Sequence, residues 1–163
     1  MLVAQILSLL YNIVDRIYIA RIPSVGTTAL GAVGLCFPII VIITAFSNLF
    51  GSGGAPLFSI NRGKGNIKKA EAIMNTSFSM LCICGVALMV IGMLFASPIL
   101  VLFGASEEGL SYAYPYMMIY LIGIVPSMIA TGMNPFINAQ GYATSGMLSV
   151  TIGAVANLIL GIW

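Results

Sequence analysis

Histidine is absent from this 163-residue sequence, and charge of either sign is scarce: six bases and four acids, 6% of the chain. The first absence removes histidine-based acid–base catalysis and the usual zinc sites. The second removes a soluble domain, whose residues are normally about one-quarter charged. No charged side chain occurs in residues 22–61, 72–106 or 109–163. Each of these runs exceeds the about 20 residues that cross the hydrocarbon core as a helix. With a hydrophobic fraction of 60%, the solvent for most of the chain is lipid. The expected fold is therefore an all-α, polytopic membrane helix bundle. A net charge of +2, held at a few positions, provides no footprint for nucleic acid.

Cysteine is scarce as well. Cys36, Cys82 and Cys84 all lie in apolar runs, and the last two stand about 200° apart on a helix. They read as small buried hydrophobes, neither a disulfide nor metal ligands. Met1 opens inside an apolar run with no basic region or cleavage site, so a signal peptide is not expected. Trp163 closes inside another apolar run without a polar flank. Both ends read as cuts in a longer, transporter-sized chain.

Five spans are expected, at 1–20, 30–60, 72–102, 112–137 and 147–163. Pro38 and Pro56 fall inside the second and Pro98 breaks the third, because each proline removes a helix N–H and crowds the preceding turn. Orientation comes from the connections. The 61–71 loop holds Arg62, Lys64, Lys68 and Lys69 against Glu71, whereas 104–109 holds Glu107 and Glu108 and no base. The excess of bases places 61–71 in the cytoplasm. Arg16 and Arg21, near the opposite end, count slightly against this. No internal repeat is convincing: Gly31-Ala32-Val33 and Gly153-Ala154-Val155 match over three residues only.

Ser47, Gly51, Ala55, Ser59 and Gly63 recur every four residues, a small-residue stripe that lets helix backbones approach closely in lipid. A sliding surface or cavity wall is the functional alternative. The glycines of 51–54 are expected to bend the helix locally; they lack the lysine of a phosphate-binding loop.

Asp15 is the one acid within a span. A carboxylate in hydrocarbon costs about 2.5–3.5 kcal/mol and usually faces a bundle interior or aqueous cavity. Asn12, three residues earlier, shares its helix face. Two readings stand: a proton or cation site, or a marker of the helix boundary beside Arg16 and Arg21, which composition alone favours. Asn134, Asn138, Gln140 and Asn157 are amides in later spans that need interhelical partners. Asn157 is either glue between helices or a functional residue, an oxygen ligand for a cation or a partner for Asp15. Tyr112, Tyr114, Tyr116 and Tyr120 read as an interfacial aromatic belt. Nothing composes a catalytic centre, since the in-span acid has no acidic partner. The chain is not read as an enzyme, and no cofactor is expected.

Five ordered segments resemble the multidrug and toxic compound extrusion (MATE) family of transporters. They are Leu10-Tyr11-Asn12-Ile13-Val14-Asp15-Arg16-Ile17-Tyr18-Ile19; Ala29-Leu30-Gly31-Ala32-Val33-Gly34; Gly63-Lys64-Gly65-Asn66 with Lys69-Ala70-Glu71; Phe136-Ile137-Asn138-Ala139-Gln140-Gly141; and Asn157-Leu158-Ile159-Leu160. The resemblance implies twelve helices in two six-helix lobes, with this chain supplying five helices of the amino-terminal lobe and a carboxy-terminal lobe as its partner. It implies export of small organic, often cationic, xenobiotics across the plasma membrane in exchange for protons or sodium. It implies a coupling site of Asp15 and Asn157, with Asn12 beside the acid. The family pattern usually carries an aspartate where this chain has Gly161. Either the last residues depart from the native sequence, or the site has one carboxylate fewer and binds cations more weakly.

Two other functions compete. A lipid-linked or polysaccharide flippase of related fold would line its cavity with several bases, and here only Arg16 is even marginally inside a span. A non-transporting membrane assembly module would need packing stripes but no functional acid, so the role of Asp15 decides. Ten methionines suit a cavity for variable apolar cargo, though methionine is common in any apolar chain.

Overall fold

The computed structural model describes residues 26–160, preceded by Ile6, Leu10, Ile13, Val14 and Ile17, all five helical. The described continuous part is five helices: α1 (Gly26–Gly63), α2 (Ile67–Leu102), α3 (Glu107–Ile122), α4 (Ile124–Ala139) and α5 (Ala143–Leu160). No strand occurs among the described residues. Helices follow from the solvent, because in lipid each backbone N–H and C=O must be satisfied within its own segment. By length and composition, Val33–Gly63 and Ile67–Leu102 can each cross a membrane, and α3 with α4 makes a third crossing if the bent pair is one span.

The segment expected as a single span at 112–137 is two helices, bent by 56° at Gly123. Three residues on, Pro126 offers no N–H to the carbonyl of Ile122, and its ring disfavours helical geometry at Val125. Pro126 itself falls in the first turn of α4, where a missing N–H costs little. In α2 the expected break near Pro98 appears as a non-helical Phe95 (φ −111°, ψ 15°), one residue beyond the carbonyl that the proline ring crowds. By contrast, α1 continues as one helix through Pro38, Pro56 and the Gly51–Gly54 cluster, so the glycines there serve another purpose than a bend.

Most of the 61–71 stretch, expected as a loop, is also helical. Arg62 lies in the last turn of α1 and Lys68 and Lys69 in the first turn of α2, leaving residues 64–66 as the connection. A glycine cap makes this turn so tight. Gly65 takes φ 75°, its N–H reaches Arg62 O at 3.0 Å, and the Asn66 N–H reaches Asn61 O at 3.0 Å. Together these bonds satisfy the last carbonyls of α1 in a Schellman motif. The Asn66 side chain then accepts the Lys69 N–H at 3.2 Å and opens α2, as an N-cap does. The same paired bonds recur after α2, where Gly104 and Ala105 donate to Val101 O and Leu100 O. They recur after α4, where Gly141 and Tyr142 donate to Asn138 O and Ile137 O.

Glu107 and Glu108 in the first turn of α3 have the sign that the helix dipole favours. Lys68 and Lys69 at the start of α2 have the opposite sign, each disfavoured there by about 0.3–1 kcal/mol.

Packing follows a repeat of about four residues. The buried positions are Gly109, Ala113, Met117 and Leu121 on α3, and Ile124, Met128, Gly132 and Phe136 on α4. On α1 they are Cys36, Ile43, Ser47, Gly51, Ala55 and Phe58. The upper half of the expected small-residue stripe is thus an interface, while Ser59 and Gly63 are exposed. Helical geometry accounts for this. Each four-residue step turns about 400°, so a strict repeat drifts about 40° per step, whereas the three-residue step to Phe58 returns to the face. Helix α1 packs on α2, α3 and α4, and α5 packs on α4.

Two clusters form the interior. The larger joins Cys36 and Ile43 of α1 to Leu81, Ala96 and Leu100 of α2 and to Met117, Leu121, Ile124 and Met128 of the bent pair. The smaller, near the basic turn, holds Ala55, Phe58, Ala70 and Phe136, with the Phe58 and Phe136 rings edge to face at 5.6 Å. Outside these clusters the surface is aliphatic: Leu94 and Ile119 are 72% and 73% exposed. Such apolar cover suits lipid or further helices and would be an aggregation liability in water.

Candidate functional site

Where α1, α2 and α4 meet, glycine removes the side chains that would hold them apart. A Cβ on Gly51 would press on the Gly132 carbonyl oxygen and lie 2.9 Å from Gly132 Cα, and one on Gly132 would lie 2.6 Å from a methyl of the fully buried Leu81. One turn along, a Cβ on Gly54 would lie 2.7 Å from Cζ of Phe136. In lipid, where apolar burial no longer drives association, backbone approach of this kind supplies dispersion contact in its place.

Beside this contact α4 presents its polar groups to α5. Asn138 Nδ2 donates to Asn134 Oδ1 at 2.9 Å, and Asn134 Nδ2 donates to Gly146 O at 3.2 Å. The spacing of four puts both amides on one helix face. Gly146 is buried, and a Cβ there would lie 2.6 Å from Asn138 Oδ1, so the absence of a side chain lets α5 reach the amides. Gln140 faces another helix, its Nε2 lying 3.8 Å from Sδ of Met74 in α2.

These residues open into a cavity of about 620 Å³ between α1, α4 and α5, to which Ser52, Thr131, Asn134, Asn138 and Ser149 bring polar groups and Ala130, Pro135 and Val150 bring apolar ones. Its volume falls in the range of small-molecule sites. Among the described residues its lining carries hydroxyls and amides but no charged side chain, which suits hydrogen bonding to a neutral or cationic organic molecule better than capture of a multiply charged anion.

Asp15 and Asn12 lie outside the described residues, as does Gly161. Asn157 belongs to α5 by its backbone, but its side chain is outside the described set. By register it falls three turns beyond Gly146, about 20° from that residue's face of the helix. The amides were readable from the sequence as groups that need partners: Asn134 and Gln140 reach another helix, whereas Asn138 bonds Asn134 on its own helix. Ser52, Thr131 and Ser149 were not, since an isolated hydroxyl in an apolar helix usually bonds the carbonyl four residues back. Ser149 itself donates to Ser145 O at 3.0 Å. The tyrosines divide: Tyr112, Tyr114 and Tyr116 are exposed, whereas Tyr120 packs against the larger core cluster. The three cysteines are free, and Cys36 Sγ donates to Ala113 O at 3.9 Å, joining α1 to α3.

Long apolar helices, prolines inside them, a backbone-to-backbone glycine contact and an uncharged polar cavity define an integral membrane protein of the polytopic helical class. The sequence model of the MatE family matches residues 1–163, the full chain. The chain belongs to the MatE family. It is similar to an FAD transporter of Shewanella oneidensis, 27% identical over 150 residues that make up 92% of this chain and 32% of the relative. It is similar to the multidrug export protein MepA of Staphylococcus haemolyticus, 26% identical over 160 residues, 98% of this chain and 35% of the relative. A probable multidrug resistance protein of Bacillus subtilis, YoeA, is 25% identical over 135 residues, 83% of this chain and 29% of the relative. The chain therefore spans about a third of the length of the curated relatives it matches. No solved structure matches it.

Proposed function

We propose that this chain forms part of the amino-terminal lobe of a cation- or proton-coupled antiporter that exports drugs or other xenobiotics across the plasma membrane. The observation that carries the reading is the uncharged polar cavity between α1, α4 and α5 in a chain of this family. A relative named as a multidrug export protein and one named as a probable multidrug resistance protein support it. A relative named as an FAD transporter raises a second cargo class. A dinucleotide carries two phosphates, and a lining without bases among the described residues favours xenobiotics over it. The coupling site in this reading is Asp15 with Asn157, and Asn12 alongside. The ion, proton or sodium, is bound in one access state and released in the other. The remaining wall of the pathway comes from a carboxy-terminal lobe, because alternating access needs one half to move against the other.

The test is dye export. The native reading frame, expressed in bacteria lacking their major efflux pumps, is expected to lower accumulation of a lipophilic cation such as ethidium. Collapse of the proton or the sodium gradient is expected to abolish the effect. Unchanged accumulation of a panel of such dyes, with the protein present in the membrane, sinks the reading.

The basic α1–α2 turn is placed in the cytoplasm by the same reading. Asn66 caps α2, so Lys64, exposed and outside both helices, is the better labelling position. In a Lys64→Cys variant, modification in intact cells is expected only with a membrane-permeant thiol reagent. Labelling by an impermeant reagent from outside reverses the topology.

A further inference from the structure

The seam between α1 and α2 holds a second cavity, a groove of about 420 Å³ whose walls include Leu49, Gly53 and Leu57 on α1 and Lys69, Ile73 and Thr76 on α2. Its body is mostly apolar and its one charge among the described residues, Lys69, stands at the end next to the turn. A Cβ on Gly53 would meet nothing within 4 Å, so the described residues leave the space above the glycine open. From Lys69 to Ser77, the last lining position on α2, the helix rises about 12 Å, close to the depth of one leaflet's hydrocarbon, about 15 Å.

The charge pattern indicates the occupant. Arg62, Lys64 and Lys68 lie within the same short turn and its flanking helix ends, while Glu71, two residues beyond Lys69, points about 200° around the helix from it. Lys68 and Lys69 also sit at the positive end of the α2 dipole, so this corner of the molecule carries an excess of positive potential that its own acids do not offset. An anion seated at the mouth relieves it, and an apolar chain attached to that anion fills the groove. A basic pocket at the membrane surface between helices is the chemistry that holds a phospholipid headgroup.

We propose that the α1–α2 groove binds an anionic phospholipid, with the phosphate at Lys69 and one acyl chain lying over Gly53 between Leu49, Leu57 and Ile73. The site lies apart from the α1–α4–α5 cavity and does not depend on the transport reading.

Diazirine-bearing phosphatidylglycerol and phosphatidylcholine, each offered in nanodiscs to the chain expressed from its native reading frame, test this, with crosslinks mapped by mass spectrometry. A base near the surface contributes about 1 kcal/mol toward an anionic lipid, or about five-fold. Phosphatidylglycerol is therefore expected to label residues 49–57 and 72–77 about five-fold more than phosphatidylcholine. Lys69→Gln is expected to bring that ratio near one, and Lys69→Arg to keep it. Gly53→Leu grows into empty space and is expected to remove labelling by both lipids without lowering the unfolding temperature. Equal labelling of the unaltered chain by the two lipids overturns the proposal, as does a preference that survives Lys69→Gln or labelling that survives Gly53→Leu. Absence of labelling by either lipid means that a protein segment covers the groove, and overturns it too.

Discussion

Replacing Asp15 by Asn is expected to abolish ion-coupled export while leaving the protein folded in the membrane. The substitution keeps the shape of the side chain and removes its charge. A carboxylate held in a span costs about 2.5–3.5 kcal/mol, and a bound proton or sodium ion offsets that cost. Loss of the charge removes the offset, so cation affinity is expected to fall by about 100-fold, the equivalent of that energy. Dye export measured against imposed proton and sodium gradients, in the unaltered chain and the variant, checks this. Export that survives with unaltered ion dependence makes Asp15 a boundary residue beside Arg16 and Arg21, and the non-transporting alternative then gains ground. Gly161 sharpens the expectation. If Gly161 is native where the family pattern usually carries an aspartate, the proposed site has one carboxylate fewer and no acid at that position compensates for the loss of Asp15.

The relation between sequence and structure is uneven in an instructive way. The apolar runs identified helices because a lipid solvent leaves the backbone no alternative, and Pro98 marked the break at Phe95 because its effect on the preceding turn is local. What was hidden depended on geometry between elements. Gly123 with Pro126 splits one apolar run into two helices, although the run has no charged residue to announce a boundary. The 61–71 stretch looked like a loop by its charge, yet Gly65 compresses the connection to three residues and leaves Arg62, Lys68 and Lys69 on helix ends. Ser59 and Gly63 continued the small-residue spacing, but drift of about 40° per step carried them off the interface. In the candidate cavity, the amides on α4 were legible from their type and their spacing of four. The contributions of Ser52, Thr131 and Ser149 were not, because a hydroxyl's role depends on which neighbouring helix faces it.

The glycine contact of α1 with α4 leads to a comparison between two residues on one helix. Gly51→Ala is expected to destabilise the bundle by about 2 kcal/mol, within the usual range for overpacking, because the new methyl meets the backbone of Gly132, with Cα at 2.9 Å and the carbonyl carbon at 3.0 Å. Backbone cannot rotate aside as a side chain can, so α1 and α4 must separate. Separation also loosens Leu81, which is fully buried beside Gly132, and it shifts the α4 face that carries Asn134 and Asn138. Gly53→Ala, two residues on, adds the same methyl into open space and gains helix propensity of about 1 kcal/mol. The two variants should therefore move in opposite directions from the unaltered chain in thermal unfolding monitored by size-exclusion chromatography in detergent. If Gly51→Ala unfolds at the same temperature as Gly53→Ala, the close approach of the two backbones does not hold this bundle together.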